Sequence, residues 1–264
     1  TKELVTGLKE AYITYGIGKC LLAANRDFWD ETSQIYICGY NPDKEADDTL
    51  LVGRVSDIHS KPMVVFVNYA CHATTLPWQN RLFSPDYVGA LRQTVEVSAG
   101  AQCIFMQGAC GELGPKHGFV GEVEVAESNG RQLAYAVLST LEGMGPAGKD
   151  YCFKEKVVSG ANLAIWEYLP FSQERMTETQ IFSGGRYSVH LPIKPCPEES
   201  AVLKDLEHWE TKQNQVKQNN DQIEYRNCTA MVERKKRLLA RLENWPKEKE
   251  FAYEYSVWRM GDSV

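Results

Sequence analysis

Long apolar runs are missing from this sequence of 264 residues, which is 43% hydrophobic and 24% charged. A membrane-spanning helix needs roughly 18–20 consecutive apolar residues, so the sequence predicts no transmembrane helix. An excess of positive charge is missing too, because 29 Lys and Arg side chains stand against 35 Asp and Glu side chains, for a net charge of −6. A strongly basic surface is therefore not expected, which argues against nucleic-acid binding. The composition is otherwise that of an ordinary globular protein.

The common metal, nucleotide and nucleophile motifs are also absent. The eight cysteines form no CxxC pair, and the two that lie closest in sequence, Cys103 and Cys110, are separated by seven positions. We interpret them as mostly free thiols, since they are too few for a disulfide framework. The sequence has no GxSxG, HExxH or P-loop, and no GxGxxG after a strand. The chemistry must therefore be sought in residues that no familiar motif identifies.

Hydrophobic periodicity predicts strands and helices in alternation through the first half of the chain. We expect a helix over residues 1–16, a second helix capped by Ser84 with Pro85 at its first position, and a third, longer helix through Leu133 and Leu141. Strands are predicted at 17–24, 35–40, 49–55, 62–68 and 101–106, with 49–55 and 62–68 as a hairpin. The strands at 62–68 and 101–106 both end in polar loops, and α/β proteins gather their sites at such strand ends.

The composition changes after Gly145-Pro146, where strands are predicted at 151–166, 186–193 and 251–260. Between them a helical hairpin is expected over 198–243, interrupted at 219–221. We interpret the basic run 234–237 as a solvated helix face rather than a partner site. The sequence thus predicts an α/β fold of mixed β-sheets layered with flanking α-helices, plus this hairpin. Residues 1–146 carry the polar loops and residues 147–264 the later strands and the hairpin.

Polar residues gather after the buried strand at 62–68 in a way that a core strand does not require. His72 is either a metal ligand or a hydrogen-bonded structural histidine. Glu112 is a general base, a support for another side chain or a helix cap, and Arg26 is an anchor for an anion or carbonyl or a member of a surface ion pair. The residues that follow His72 in this polar stretch are Thr74, Thr75, Asn80, Ser84 and Asp86.

Several of these residues form an ordered set. Asn25-Arg26 and Asn41-Pro42 come first, followed by His72-Ala73-Thr74, then Asn80, Leu82, Ser84, Asp86 and Gly89, and finally the segment from Gln107 to Pro115. In order and spacing the set resembles the catalytic domain of the neutral, alkaline, non-lysosomal ceramidase family. The resemblance covers residues 20–145, about half the chain.

The resemblance implies a zinc-dependent hydrolase that cleaves the amide of an N-acyl, ceramide-like substrate by metal-activated water. It makes His72 a zinc ligand and catalytic residue, and Arg26 a catalytic and substrate-binding residue. The other substrate-binding residues that it implies are Asn80, Asp86, Gln107 and Gly114. A second histidine is expected before Thr1, and a glutamate and a tyrosine after Val264. Residues 1–264 are therefore expected to be an internal, separately inactive part of one catalytic domain.

Two departures from the family keep the substrate open. Gly114 stands where ceramidases carry a serine, which excludes an acyl-enzyme route through that position but not attack by zinc hydroxide. Pro77, Trp78 and Gln79 replace a stretch that is rich in asparagine. A metal hydrolase of another amide or ester and a non-catalytic, ligand-binding descendant are the alternatives. Family members are often exported or membrane-associated, whereas free thiols are typical of a reducing compartment, so the location stays open.

Overall fold

The computed structural model describes residues 6–77, 80–219 and 221–261. Within these ranges the chain forms five helices, twelve strands and several small sheets, so the predicted α/β fold class is confirmed. None of the five helices combines the length and the apolarity that crossing a bilayer requires. One compact unit extends to Ile181 and includes Met260 and Gly261, and the other covers Phe182–Arg259.

The elements follow one another along the chain with these bounds. The strands are β1 (Ala11–Lys19), β2 (Ala23–Asn25), β3 (Asp27–Asp30), β4 (Ile35–Cys38), β5 (Thr49–Asp57), β6 (Pro62–Tyr69), β7 (Gln102–Gln107), β8 (Leu113–Pro115), β9 (Lys149–Val158), β10 (Asn162–Pro170), β11 (Phe182–Pro192) and β12 (Glu250–Met260). The helices are α1 (Tyr87–Ala99), α2 (Val123–Gly143), α3 (Gln173–Thr179), α4 (Glu199–Gln218) and α5 (Gln222–Leu242).

The first unit is built on a four-stranded sheet with the order β1-β5-β6-β7. β5 pairs antiparallel with β1 and with β6, which confirms the predicted hairpin. β7 instead runs parallel to β6, in a register that places Val64 beside Gln102 and Tyr69 beside Gln107. α1 is the crossover between these two strands. The carboxyl ends of β6 and β7 therefore lie side by side, and both polar loops start from the same sheet edge.

α1 and α2 pack on each other and on this sheet to form the core of the first unit. Their buried residues include Tyr87, Leu91, Val95, Leu133, Ala134 and Val137. The two helices touch where α2 carries Gly130. A Cβ atom at that position would lie 2.2 Å from the carbonyl oxygen of Tyr87 and 2.8 Å from the backbone nitrogen of Leu91. The backbones thus meet with no room for a side chain.

The helix predicted over 1–16 is wrong from Ala11 onward, because Ala11–Lys19 is strand β1. Residues 1–5 of that prediction lie outside the described residues. The stretch contains β-branched and aromatic residues, which favour strands, and two glycines, which disfavour helices. Gly16 and Gly18 also leave space for α2, because a Cβ at Gly18 would lie 2.1 Å from Oγ1 of Thr140.

Other predicted boundaries also need correction. The strand expected at 151–166 is the antiparallel pair β9 and β10, which turns between Val158 and Asn162. The strand expected at 17–24 is divided between β1 and β2, since the Tyr69 hydroxyl lies between them, donating to the Cys20 carbonyl oxygen at 2.7 Å and accepting from the Ala23 N–H at 2.9 Å. The N-cap of α1 is Asp86 rather than Ser84, because the Asp86 carboxylate accepts from the Tyr87 N–H.

The second unit contains the helical hairpin, which is confirmed as α4 and α5, and the two-stranded sheet of β11 and β12. Asn220, within the predicted interruption, lies outside the described residues. Two lysines of the basic run form ion pairs between the helices, Lys235 with Asp205 and Lys236 with Glu210. Arg234, Lys236 and Arg237 are exposed, in agreement with a solvated helix face, whereas Lys235 is half-buried against the other helix.

Candidate functional site

The segments of the ordered set meet at the sheet edge where β6 and β7 end. β2 pairs antiparallel with β8, placing Asn25 beside Leu113. The Arg26 N–H then donates to the carbonyl oxygen of Glu112 at 2.8 Å, and the His72 N–H donates to that of Leu113 at 3.2 Å. Three stretches that lie far apart in sequence are thus joined through the backbone of one short segment.

The ring of His72 has a defined orientation. Its Nδ1 lies 2.7 Å from the carbonyl oxygen of Cys110. A carbonyl oxygen accepts but never donates, so Nδ1 carries the proton and Nε2 of the neutral ring keeps the lone pair. Metal-binding histidines use this arrangement, with one nitrogen on the metal and the other donating to a carbonyl or carboxylate. The half-buried ring therefore meets the requirement for one metal ligand through Nε2.

The Arg26 side chain is held by Gly111, the residue that follows Cys110. Its Nε and Nη2 atoms donate to the Gly111 carbonyl oxygen at 3.2 and 2.8 Å. These bonds fix the guanidinium beside the loop that holds His72 and leave Nη1 for another acceptor. An arginine that is anchored in this way can present a fixed positive charge to an anion or to a polarised carbonyl.

Gly114 is buried between Thr74 and Arg26. A Cβ atom at Gly114 would lie 3.5 Å from Thr74 Oγ1 and 3.7 Å from Arg26 Cδ, both ordinary contact distances. Thr74 Oγ1 is itself buried and has no hydrogen-bond partner among the residues that the structure describes. The space next to this hydroxyl would accept a small side chain at position 114.

The other predicted substrate-binding residues make local contacts. The Gln107 side-chain amide donates to Sγ of Cys110 at 2.8 Å, within the loop that holds His72. The Asn80 side chain donates to the carbonyl oxygen of Leu82 and accepts from its N–H. The Asp86 carboxylate accepts from the Tyr87 N–H at the start of α1 and from the Leu76 N–H in the loop after β6. Their contact with a substrate stays a prediction, and Trp78 and Gln79 lie outside the described residues.

Asn129 is a residue of this region that the sequence analysis missed. Its Nδ2 donates to Thr75 Oγ1 at 3.2 Å and to the His117 carbonyl oxygen at 2.9 Å, and both Asn129 and Thr75 are buried. It ties the loop after β6 to the segment after β8. One signal was available, since Asn129 is a polar residue on the otherwise apolar face of α2, near Ala126 and Leu133.

The buried thiol next to His72 does not have the properties of a nucleophile. Burial raises the pKa of Cys71 to about 12. At neutral pH the group is therefore a protonated thiol, and the thiolate is the reactive form. All eight cysteines are free, in agreement with their interpretation as thiols.

The described residues do not by themselves fit a zinc site. They contain no group of three or more His, Cys, Asp or Glu side chains that could hold a metal ion. A protein zinc site needs three or four such ligands. His72 Nε2 therefore supplies at most one member of a ligand set.

Comparison with known proteins finds distant structural similarity alone. No protein-family model and no curated protein matches the chain. Among solved structures, a ceramidase complexed with C2 matches at 19% identity with a TM-score of 0.44. The neutral ceramidase from Pseudomonas aeruginosa matches at 18% identity with the same TM-score. Each match covers 58% of this chain and 26% of the ceramidase chain. At this level the similarity assigns neither an activity nor a substrate.

Proposed function

We propose that this chain forms part of a zinc-dependent hydrolase that cleaves the amide of an N-acyl, ceramide-like lipid. One observation carries the proposal. His72 and Arg26 are held by the carbonyl oxygens of neighbouring residues, Cys110 and Gly111. A candidate metal ligand and a candidate carbonyl anchor thus share one short loop, and they are the two residues to which the sequence resemblance gives catalytic roles.

The proposal gives each of these side chains a separate task. His72 presents Nε2 as one ligand, and the remaining ligands would come from residues other than those described. When bound, zinc supplies hydroxide at neutral pH, because it lowers the pKa of its water from 15.7 to about 7. Arg26 binds the substrate carbonyl oxygen through Nη1 and stabilises the negative charge that develops on it. Gly114 provides space rather than a nucleophile.

The test compares zinc content and amide hydrolysis in the full-length protein that carries this chain. Zinc is measured by mass spectrometry in the wild type, in His72→Ala and in His59→Ala, a matched control in the exposed turn between β5 and β6. A fluorescent N-acyl sphingosine and the corresponding ester serve as substrates. Arg26→Lys retains the charge but loses the forked geometry, so kcat should fall about 100-fold, the typical cost of losing one oxyanion donor.

The expected result is about one zinc per chain in the wild type and in His59→Ala, and its loss with the activity in His72→Ala. Zinc that persists in His72→Ala would overturn the ligand assignment. Hydrolysis of the ester alone would replace the amide with another substrate class. Substrate binding without turnover in a zinc-free protein would overturn the hydrolase proposal and favour a ligand-binding descendant.

A further inference from the structure

We infer that the pair Asp86-Tyr87 at the start of α1 is a positioning element of the His72 loop, residues 71–76. Each member of the pair binds the backbone at one end of this loop. Together they hold the His72 ring on the Cys110 carbonyl oxygen. The catalytic meaning of this role rests on the proposed function of His72, whereas the contacts themselves do not.

Tyr87 holds the amino-terminal end of the loop. Its hydroxyl donates to the carbonyl oxygen of Cys71 at 2.7 Å, directly before His72, and the side chain is completely buried. Burial raises the pKa of Tyr87 far above its ordinary value, so the hydroxyl stays protonated and acts as a donor at every physiological pH. The ring packs edge-to-face on Phe105 of β7, with 6.0 Å between the centroids. The donor is thus fixed by the core.

Asp86 holds the other end of the loop. Its Oδ2 accepts from the Leu76 N–H at 2.9 Å, while Oδ1 accepts from the Tyr87 N–H at 2.7 Å. The backbone of Asp86 has φ 55° and ψ −146°, a combination that strongly favours glycine. A non-glycine residue persists in such a strained conformation only where its surroundings compensate. Here the compensation is the carboxylate, which joins the loop to the helix.

Asp86 and Tyr87 act on the His72 ring through the backbone of its loop. The ring nitrogen reaches Cys110 only if the backbone from Cys71 to Leu76 keeps its path. The α1 end of that path is anchored in the packed core. The opposite side is held by the His72 N–H on Leu113, by the Phe119 and Val120 N–H groups on the carbonyl oxygens of Thr74 and Thr75, and by Asn129 on the Thr75 hydroxyl. Loss of either anchor should free the ring from the Cys110 carbonyl oxygen and allow Nε2 to carry the proton in part of the molecules, which would weaken metal binding there.

The test reads the tautomer of His72 directly, by ¹⁵N NMR of histidine-labelled full chain at about two pH units above the ordinary imidazole pKa of 6.5. His72→Ala assigns the signal. Tyr87→Phe removes the hydroxyl alone. Asp86→Gly removes the carboxylate and suits the left-handed backbone. Tyr69→Phe is the matched control, because it removes another completely buried hydroxyl that donates to a carbonyl at 2.7 Å in the same core.

The wild type and Tyr69→Phe should both give the Nδ1–H signature alone. Tyr87→Phe and Asp86→Gly should give a mixture of Nδ1–H and Nε2–H forms while circular dichroism shows that they remain folded. An unchanged His72 signal in both variants would overturn the inference. An equal change in Tyr69→Phe would also overturn it, because core loosening in general would then be the cause. None of these readouts needs zinc or turnover, so failure of the proposed function would not affect them.

Discussion

Replacing Gly130 with alanine should destabilise the first unit, although alanine is the better helix former. In an open helix interior the exchange would stabilise the protein by about 1 kcal/mol. At Gly130, however, the new Cβ would lie 2.2 Å from the Tyr87 carbonyl oxygen and 2.7 Å from the Ala90 Cβ. Both are atoms of α1, and the carbonyl oxygen cannot rotate away as a flexible side chain can.

The size of the effect follows from the movement that this clash requires. Ordinary contact begins near 3.4 Å, so α1 and α2 must separate locally by more than an ångström. A gap of 0.5–1 Å already forfeits a quarter to a half of the dispersion energy of the atom pairs across it. Overpacking of a tight core typically costs 1–3 kcal/mol, and we expect a net loss of about 2 kcal/mol after the gain in helix propensity.

Urea unfolding followed by far-UV circular dichroism measures the free energy, and hydrogen exchange of the α1 and α2 peptides locates the change. Gly143→Ala is the matched control, because Gly143 ends the same helix and a Cβ there meets no described atom within 4 Å. It should leave the stability unchanged or raise it by up to about 1 kcal/mol. If Gly130→Ala were as stable as Gly143→Ala, the reasoning on backbone contact would be refuted.

Three further predictions concern the candidate site. The serine of Gly114→Ser should fit and give Thr74 Oγ1 a hydrogen-bond partner, so the melting temperature should stay unchanged or rise. A loss of more than about 1 kcal/mol in the free energy of unfolding would contradict the geometry. Asn129→Ala should cost about 1–3 kcal/mol in urea unfolding, because the buried hydroxyl of Thr75 loses its donor; unchanged stability would show that water replaces the amide. Burial raises the pKa of Cys71 to about 12, so iodoacetamide at about pH 8 should modify the exposed cysteines and spare Cys71 until urea is added. Mass spectrometry of the Cys71 peptide from the native chain checks this.

The elements that periodicity predicts well are those with a buried face. The β5–β6 hairpin, β7 and the α4–α5 hairpin were predicted with boundaries close to those observed, and α2 was predicted through Leu133 and Leu141 without boundaries. Most of β1 was missed, because its position depends on pairing with β5 and on two glycines that leave space for α2. Neither is visible in the spacing of apolar residues. The spacing of apolar residues shows which face of an element is buried, whereas the position of an edge strand depends on the strand with which it pairs.

The candidate site was predictable to the extent that side chains identify it. Residue type and position singled out His72 and Arg26 with alternatives left open, and the family resemblance gave them their expected roles. The position of His72 at the sheet edge follows from the end of β6. Their partners were not predictable, because both side chains bind backbone carbonyl oxygens. Any residue supplies a carbonyl, so no residue type marks these contacts. Asn129 did leave a signal as a polar residue on a buried helix face.

Four consecutive carbonyl oxygens, those of residues 110–113, accept the hydrogen bonds from Arg26 and His72. Because every amino acid carries that oxygen, evolution can exchange the exposed side chains of the segment while the scaffold stays in register. Gly111 has open space where a Cβ would stand, and Glu112 is exposed, so both positions are free to vary. A two-site saturation library at positions 111 and 112 should therefore leave the backbone bonds to Arg26 and His72 intact.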